Sequence, residues 1–449
     1  LSRRMPAFAT GGGGAGTVFV YNAADAAGEL MINNDGMTPD HPTRVTNTPG
    51  AYNMTLGRLQ LRGNASISVA AAEVSAGSSM TLQVGAFDDF EGCRVRLEAQ
   101  TVLLINAGEL EAPTSSIKTT QSLRTPSEFT RQISMVFYVG GRASLRSHLI
   151  VSEGAMLVVP PILSLTARAR LQIWGRLRAT QLFMREAAEI ELFPTASTDE
   201  STGPNTFSFE SVNVVDDARL ILYNASSLIA SLVTVGGPEG APAGTITVNG
   251  RVYLETPSFE VHVTGVVDGR GRGYGASRGP GKSIADNGGG SHGGLGGQRN
   301  TDLGIALSEK SYGDFRRPFE SGSGGHGAAE GGGGPGGAAV HIKAEKYVQL
   351  DGVINVGGRR GSALAKHGAN SGGGAGGRVW LETLNLLGAG QILASGGDGA
   401  ENKKTVGAGG GGRIAVQCSG NTSFSGSYAA YGGEVSGGGT YFGTAGSVF

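Results

Sequence analysis

Cysteine is nearly absent from this chain, Cys93 and Cys418 being its two. That excludes a disulfide-dense scaffold and a thiolate zinc centre, and leaves one Cys93–Cys418 disulfide as the only bridge available. Charge of one sign is missing as well. Lys plus Arg number 36 against 37 Asp plus Glu, so there is no basic field to draw nucleic acid or anionic lipid. No apolar run reaches the roughly 18 to 20 residues of a membrane span, and the nearest, Ala155 to Leu165, is broken by Pro160-Pro161. The seven histidines, His292, His326 and His341 among them, lack paired ligand spacing, so no metal or other cofactor is expected. The chain starts at Leu1 without the charged-then-apolar opening of a signal peptide. It reads as a mature or excised piece.

Helical patterning is also scarce. Only Gln181 to Leu192 offers any, with Arg185-Glu-Ala-Ala-Glu as a turn or two, and alternation resumes at Ile190-Glu-Leu-Phe. Elsewhere from Leu59 the pattern is period two, as in Met80-Thr-Leu-Gln-Val84, Leu171-Gln-Ile173, Leu220-Ile-Leu222 and Val252-Tyr-Leu254. Short alternating strands at 8 to 12-residue spacing suit a sandwich, a barrel or a parallel solenoid. Two-residue Asn-Gly or Asp-Gly hairpin turns, on which antiparallel sheets rely, are few: Asn249-Gly250 and Asp351-Gly352 are the clearest.

What the chain has in excess is glycine, 79 residues of 449. Three times a glycine tract runs into an apolar strand: Gly336-Gly-Ala-Ala-Val340-His-Ile342, Gly376-Gly-Arg-Val379-Trp-Leu381 and Gly411-Gly-Arg-Ile414-Ala-Val416. A fourth copy, Ala445-Gly-Ser-Val448-Phe449, breaks off. The recurring Val or Ile falls at 340, 379, 414 and 448, in steps of 39, 35 and 34. Such steps predict an all-β parallel β-helix, a solenoid with long glycine-rich insertions in its C-terminal half. Three segments follow: an N-terminal repeat unit over 1–45, a body of alternating strands over 46–270, and glycine-rich repeats over 271–449. Gly11-Gly-Gly-Gly-Ala-Gly-Thr-Val18-Phe-Val-Tyr21 carries the repeat at the start. Ordering glycine costs roughly 1 to 2 kcal/mol per residue in backbone entropy, so the tracts are either packed polyglycine helices lying against the coil or mobile loops.

Several motifs carry possible chemistry. Ala276-Ser-Arg-Gly-Pro-Gly281-Lys282-Ser283 fits a relaxed phosphate-loop pattern, but glycine follows where a helix must start. Asn300-Thr-Asp302, Gly325-His-Gly327 and His341-Ile-Lys343 keep the order of the galacturonan hydrolase motifs, without the central Asp-Asp whose acidic groups perform the acid and base steps. Gly396-Gly-Asp-Gly-Ala-Glu401 is similar to a calcium nonapeptide but occurs once. Asp88-Asp89 and Asp216-Asp217 read as corner residues, and Trp174 and Trp380 as packing groups in strands. Asn53, Asn64, Asn224 and Asn421 stand in sequons, glycan acceptors if the chain is secreted in a eukaryote.

The run Gly288-Gly-Gly-Ser-His-Gly-Gly-Leu-Gly-Gly297, Tyr312-Gly-Asp-Phe-Arg-Arg-Pro318, Ser321-Gly-Ser-Gly-Gly325 and the Gly-Gly-Arg-Val/Ile strands resembles large glycine-rich surface proteins of plants and protists. The resemblance covers about 266–449 and 11–36. It implies an extracellular or cell-surface protein of a wall, a sheath or thread-like appendages such as flagellar hairs (mastigonemes), with no catalytic residues to carry over. The expectation is a structural subunit of an extracellular filament whose partner is a second copy of itself. Its first strand, Val18-Phe19-Val20, would join head to tail with the last, Val448-Phe449, because uncapped solenoid ends invite pairing. The alternatives are a segment of a long surface adhesin or cell-wall protein, and a β-helix polysaccharide hydrolase or lyase.

Overall fold

The computed structural model describes, before residue 170, the backbones of strands between Gly16 and Leu165. From 170 onward it describes all but 175, 195–204, 284–286, 298–310, 328–331, 363–370, 401–405 and 436–441. No helix occurs among the described residues; the regular structure is strand throughout. Two compact units divide at Leu1–Ser197 and Thr198–Phe449.

In each unit a strand skips its neighbour in sequence and pairs in parallel with the next but one. In the first unit one ladder takes Asp25–Asn33, Asn53–Arg62, Met80–Asp89, Thr101–Ile105, Met135–Val139, Ala155–Leu165 and Arg176–Met184. Between these, Thr43–Thr46, Ser66–Ala70, Arg94–Leu97, Leu110–Thr119, Ala143–Val151, Arg170–Ile173 and Glu189–Leu192 build the other. Pro160-Pro161 falls where the register shifts between Val159 and Ile162, because proline cannot donate to the ladder and is confined to bulges and edges.

The start of the chain departs from expectation. Gly16–Asn22, the strand of Val18, Phe19 and Val20, pairs antiparallel with Asp25–Asn33 as a hairpin, not as a parallel coil. Two residues between the paired Asn22 and Asp25 leave no length for a crossover, and only a hairpin fits so short a link.

In the second unit the long strands Asn205–Val214, Ser226–Val235, Arg251–Val261, Ala339–Leu350, Arg378–Gly388 and Arg413–Cys418 stack in order, ending on Ser447–Val448. The short strands Arg219–Leu222, Gly244–Val248, Gly265–Asp268, Val353–Asn355, Gln391–Leu393 and Ser427–Ala429 stack likewise. Parallel register puts like residues in columns: Val252, Val340, Val379, Ile414 and Val448 are successive partners. The first four are buried, each contributing about 1.5–3 kcal/mol. Alternate residues face outward, as the burial of Arg251–Val261 shows.

The corners explain why no helix forms at 181–192. Strand Arg176–Met184 runs to a turn in which Glu186 and Ala187 both have positive φ, closed by the Ala188 amide on the Arg185 carbonyl, and Glu189–Leu192 follows. Asp216 and Asp217 repeat that geometry, with φ of 52° and 62°. Asp and Asn tolerate this left-handed region better than most residues.

Candidate functional site

The glycine tracts of the second unit are ordered by their own backbones. Within 371–377, Gly372 and Ala375 donate their amides to the His326 and Ser323 carbonyls, Gly373 and Gly376 to Gly407 and Gly410, and Gly374 and Gly377 to Arg359 and Val356. These six bonds span 2.7 to 3.0 Å. Donation turns to a new neighbour with each residue and returns after three, which is the period of the polyproline II helix. Tract 406–412 behaves alike: Gly407 and Gly410 bond Asn287 and Gly290, Gly409 and Gly412 bond Gly397 and Ala394, and Gly411 bonds Thr444. Of the two arrangements expected for the tracts, these take the packed one.

Such packing leaves no room for side chains. A Cβ on Gly374, Gly376 or Gly377 would land on the carbonyl oxygen of Pro335, Ala394 or Ala338. Where a side chain does occur it is small or turned inward: Ala338, Val356, Ala375, Ala394 and Ala408 are fully buried. Each amide bond returns about 1 kcal/mol against the cost of ordering glycine.

Beside this bundle, the outward face of the long-strand ladder carries aligned functional groups. Tyr253, His341 and Trp380 form one column. The His341 and Trp380 rings stack at 3.8 Å and 3°, and Tyr253 lies tilted against His341 at 4.9 Å. The next outward column is charged. Lys343 Nζ donates to Glu255 at 2.8 Å, and His341 Nε2 donates to Glu382 at 3.0 Å. That contact with Lys343 holds the Glu255 carboxyl below its usual range. Burial of Tyr253, aided by Glu255, pushes its phenol up to about 12. A shallow open groove of about 410 Å³ runs past Lys343, Glu382 and Gln417.

Residues 312–320 cross this face. The carbonyls of Tyr312 and Arg316 accept from Arg413 Nε and Gln417 Nε2 at 2.9 and 3.1 Å, and Phe315 meets Phe449 edge-on at 5.6 Å. The Tyr312 hydroxyl lies 2.7 Å from Ser323 Oγ, and its ring leans on His292. His292 is completely buried; its Nδ1 donates to the Gly376 carbonyl at 2.8 Å while Nε2 has no partner. Burial holds this imidazole down at about 4, with Arg413 and Arg378 adding to the effect. Nothing in the sequence around His292 marks it as buried; only the path of the tracts reveals its burial.

The structure separates most of the other sequence candidates. Asn300 and Asp302 lie outside the described residues. His326 sits in the glycine bundle, its Nδ1 accepting the Asn287 amide at 3.3 Å, and His341 is on the strand face. Lys282 is exposed on a turn whose Gly281 carbonyl accepts the Ser291 amide. Asp398 is occupied by the Glu434 amide and Arg360, at 3.0 and 3.3 Å. Cys418 is a free thiol, 3.3 Å from the Leu384 carbonyl oxygen; Cys93 lies outside the described residues. Asn224 and Asn421 are exposed on turns, Asn53 begins a strand, and Asn64 lies outside the described residues. Trp174 is 44% exposed and stacks on Phe193 at 3.7 Å. Val448, on a strand that among the described residues has one ladder partner, and Phe449 just after it are 53% and 51% exposed.

Comparison with protein-family models, curated proteins and solved structures finds no match to this chain. Among the described residues no helix is long and apolar enough to cross a membrane.

Proposed function

We propose that this chain is a structural unit of an extracellular or cell-surface filament, a parallel β-helix sheathed along one side by polyglycine helices. One observation carries the reading: strand register and glycine lattice repeat together from coil to coil. The strand columns pass through residues 340, 379, 414 and 448, while the tracts bond in parallel from 334 to 372, 373 to 407 and 411 to 444. A periodic object with one axis is suited to stacking. Ser447–Val448 offers the same edge to whatever coil comes next, whether from a second copy or from further chain. In the first unit Gly16–Asn22 pairs antiparallel with Asp25–Asn33, so a join at that strand would not continue a parallel ladder. Exposed Asn224 and Asn421 are available for glycans.

Electron microscopy of the purified protein tests this. Fibres with a fixed axial repeat are expected, and Val448→Arg should shorten or abolish them. Monodisperse particles at all concentrations and salt strengths would refute assembly. An intact mass well above 45.6 kDa after glycan removal assigns the next coil to the same, longer chain.

A further inference from the structure

On the outward face of Arg378–Gly388, two neighbouring side chains hold donors that meet no acceptor. Arg378 is 3% exposed, and its Nε and Nη1 have no hydrogen-bond partner. Trp380, two residues on and therefore on the same face, is 8% exposed with its Nε1 equally unpartnered. An unpaired buried guanidinium is among the costliest groups a fold can keep. Nothing in the column relieves it. Arg251, Ala339, Arg378 and Arg413 are successive ladder partners, so Arg378 has like charge beside it in Arg413 and, one strand beyond Ala339, in Arg251. Arg413 is already committed to the Tyr312 carbonyl and Ser447. Burial and the field of Arg251 lower the Arg378 guanidinium to about 9, and Glu320 is the carboxylate that opposes them without an ion pair forming.

An aromatic ring forms part of the cover over Arg378. Phe319 lies 5.0 Å from the guanidinium carbon and is itself 58% exposed, so it can turn aside into solvent.

We propose that Arg378, beneath Phe319, and its neighbour Trp380 form a binding site for an oxyanion with at least two acceptor oxygens: a carboxylate or sulfate group, free or carried on an acidic sugar. Three unmet donors and an excess of positive charge match that chemistry, since charge-assisted bonds to such oxygens are the strong ones. The site does not depend on filament assembly.

The test uses the full chain. Sodium sulfate replaces chloride at constant ionic strength, and in a second arm a galacturonate tetramer is added; binding is read as a saturable rise in melting temperature and by calorimetry. Wild type is expected to saturate. Trp380→Phe, which keeps the ring and removes the donor, should bind about tenfold more weakly. Phe319→Ala should bind more tightly, and Arg378→Met should lose the response while melting higher than wild type without ligand, because an apolar side chain replaces an unpaired cation. Saturation by both ligands assigns the site to small oxyanions generally; saturation by the tetramer alone assigns it to a sugar acid. No saturable response in wild type and Phe319→Ala, or an undiminished one in Arg378→Met, overturns the proposal.

Discussion

The amide of Gly376 meets the carbonyl of Gly410 at 2.9 Å, in a lattice where a Cβ on either would strike a third tract. For Gly376 that obstacle is the Ala394 carbonyl oxygen, and for Gly410 the Gly294 carbonyl oxygen. Glycine here is a requirement of spacing between backbones, unlike the positive-φ glycines at corners such as Gly250.

Alanine substitution separates packed glycines from spare ones. Gly376→Ala should cost roughly 3 kcal/mol or more, since the obstructing atoms are backbone and cannot step aside. At Gly275 a Cβ has open space and φ is not positive, so Gly275→Ala should be neutral or stabilising by about 0.4–1 kcal/mol. Chemical denaturation of the two variants reads the difference, and equal effects would count against the lattice.

Hydrogen exchange should show the same order. The amides of Gly334, Gly336, Gly337 and Ala338 are all donated to other tracts and should be protected to a degree comparable with Val340 and Ile342 on the adjoining strand. Fast exchange throughout 332–337 would exclude packed helices.

Acid should loosen the bundle through His292. Its folded value of about 4 lies below the ordinary 6.5, so the unfolded chain binds the proton more readily. The stability gained by keeping the ring neutral is fully present above pH 6.5 and is lost as pH falls toward 4, about 3 kcal/mol in all. His292→Asn should flatten the stability profile across that window, as followed by thermal melts at stepped pH.

Phe259 is fully buried, in register between Val233 and Val348. Phe259→Ala should lower stability by about 3–5 kcal/mol through lost burial and the cavity left behind. A shift in denaturant midpoint with an unchanged slope is the expected readout.

Much of the strand framework was legible because its signal is periodic. The Val and Ile residues that recur at 340, 379, 414 and 448 are ladder partners, since a coil that keeps register must return the same residue to the same column. The hairpin at Gly16–Asn22 was not legible: Val18-Phe-Val reads the same in an antiparallel pair as in a parallel one. Nor did Arg378 stand out. Phe319, fifty-nine positions earlier, arrives over its guanidinium only once the chain is folded. The direction in which each glycine donates leaves no trace in a run of identical residues, so the lattice shows only once the chain is folded.

Because donation in the tracts returns to the same neighbour every third residue, their lengths are not freely adjustable. Removing three residues from a tract preserves the facing of all that follow, whereas removing one turns every later amide by a third of a revolution toward the wrong neighbour. Chains built this way can gain or lose tract length in evolution only by whole triplets, unless a corner absorbs the remainder.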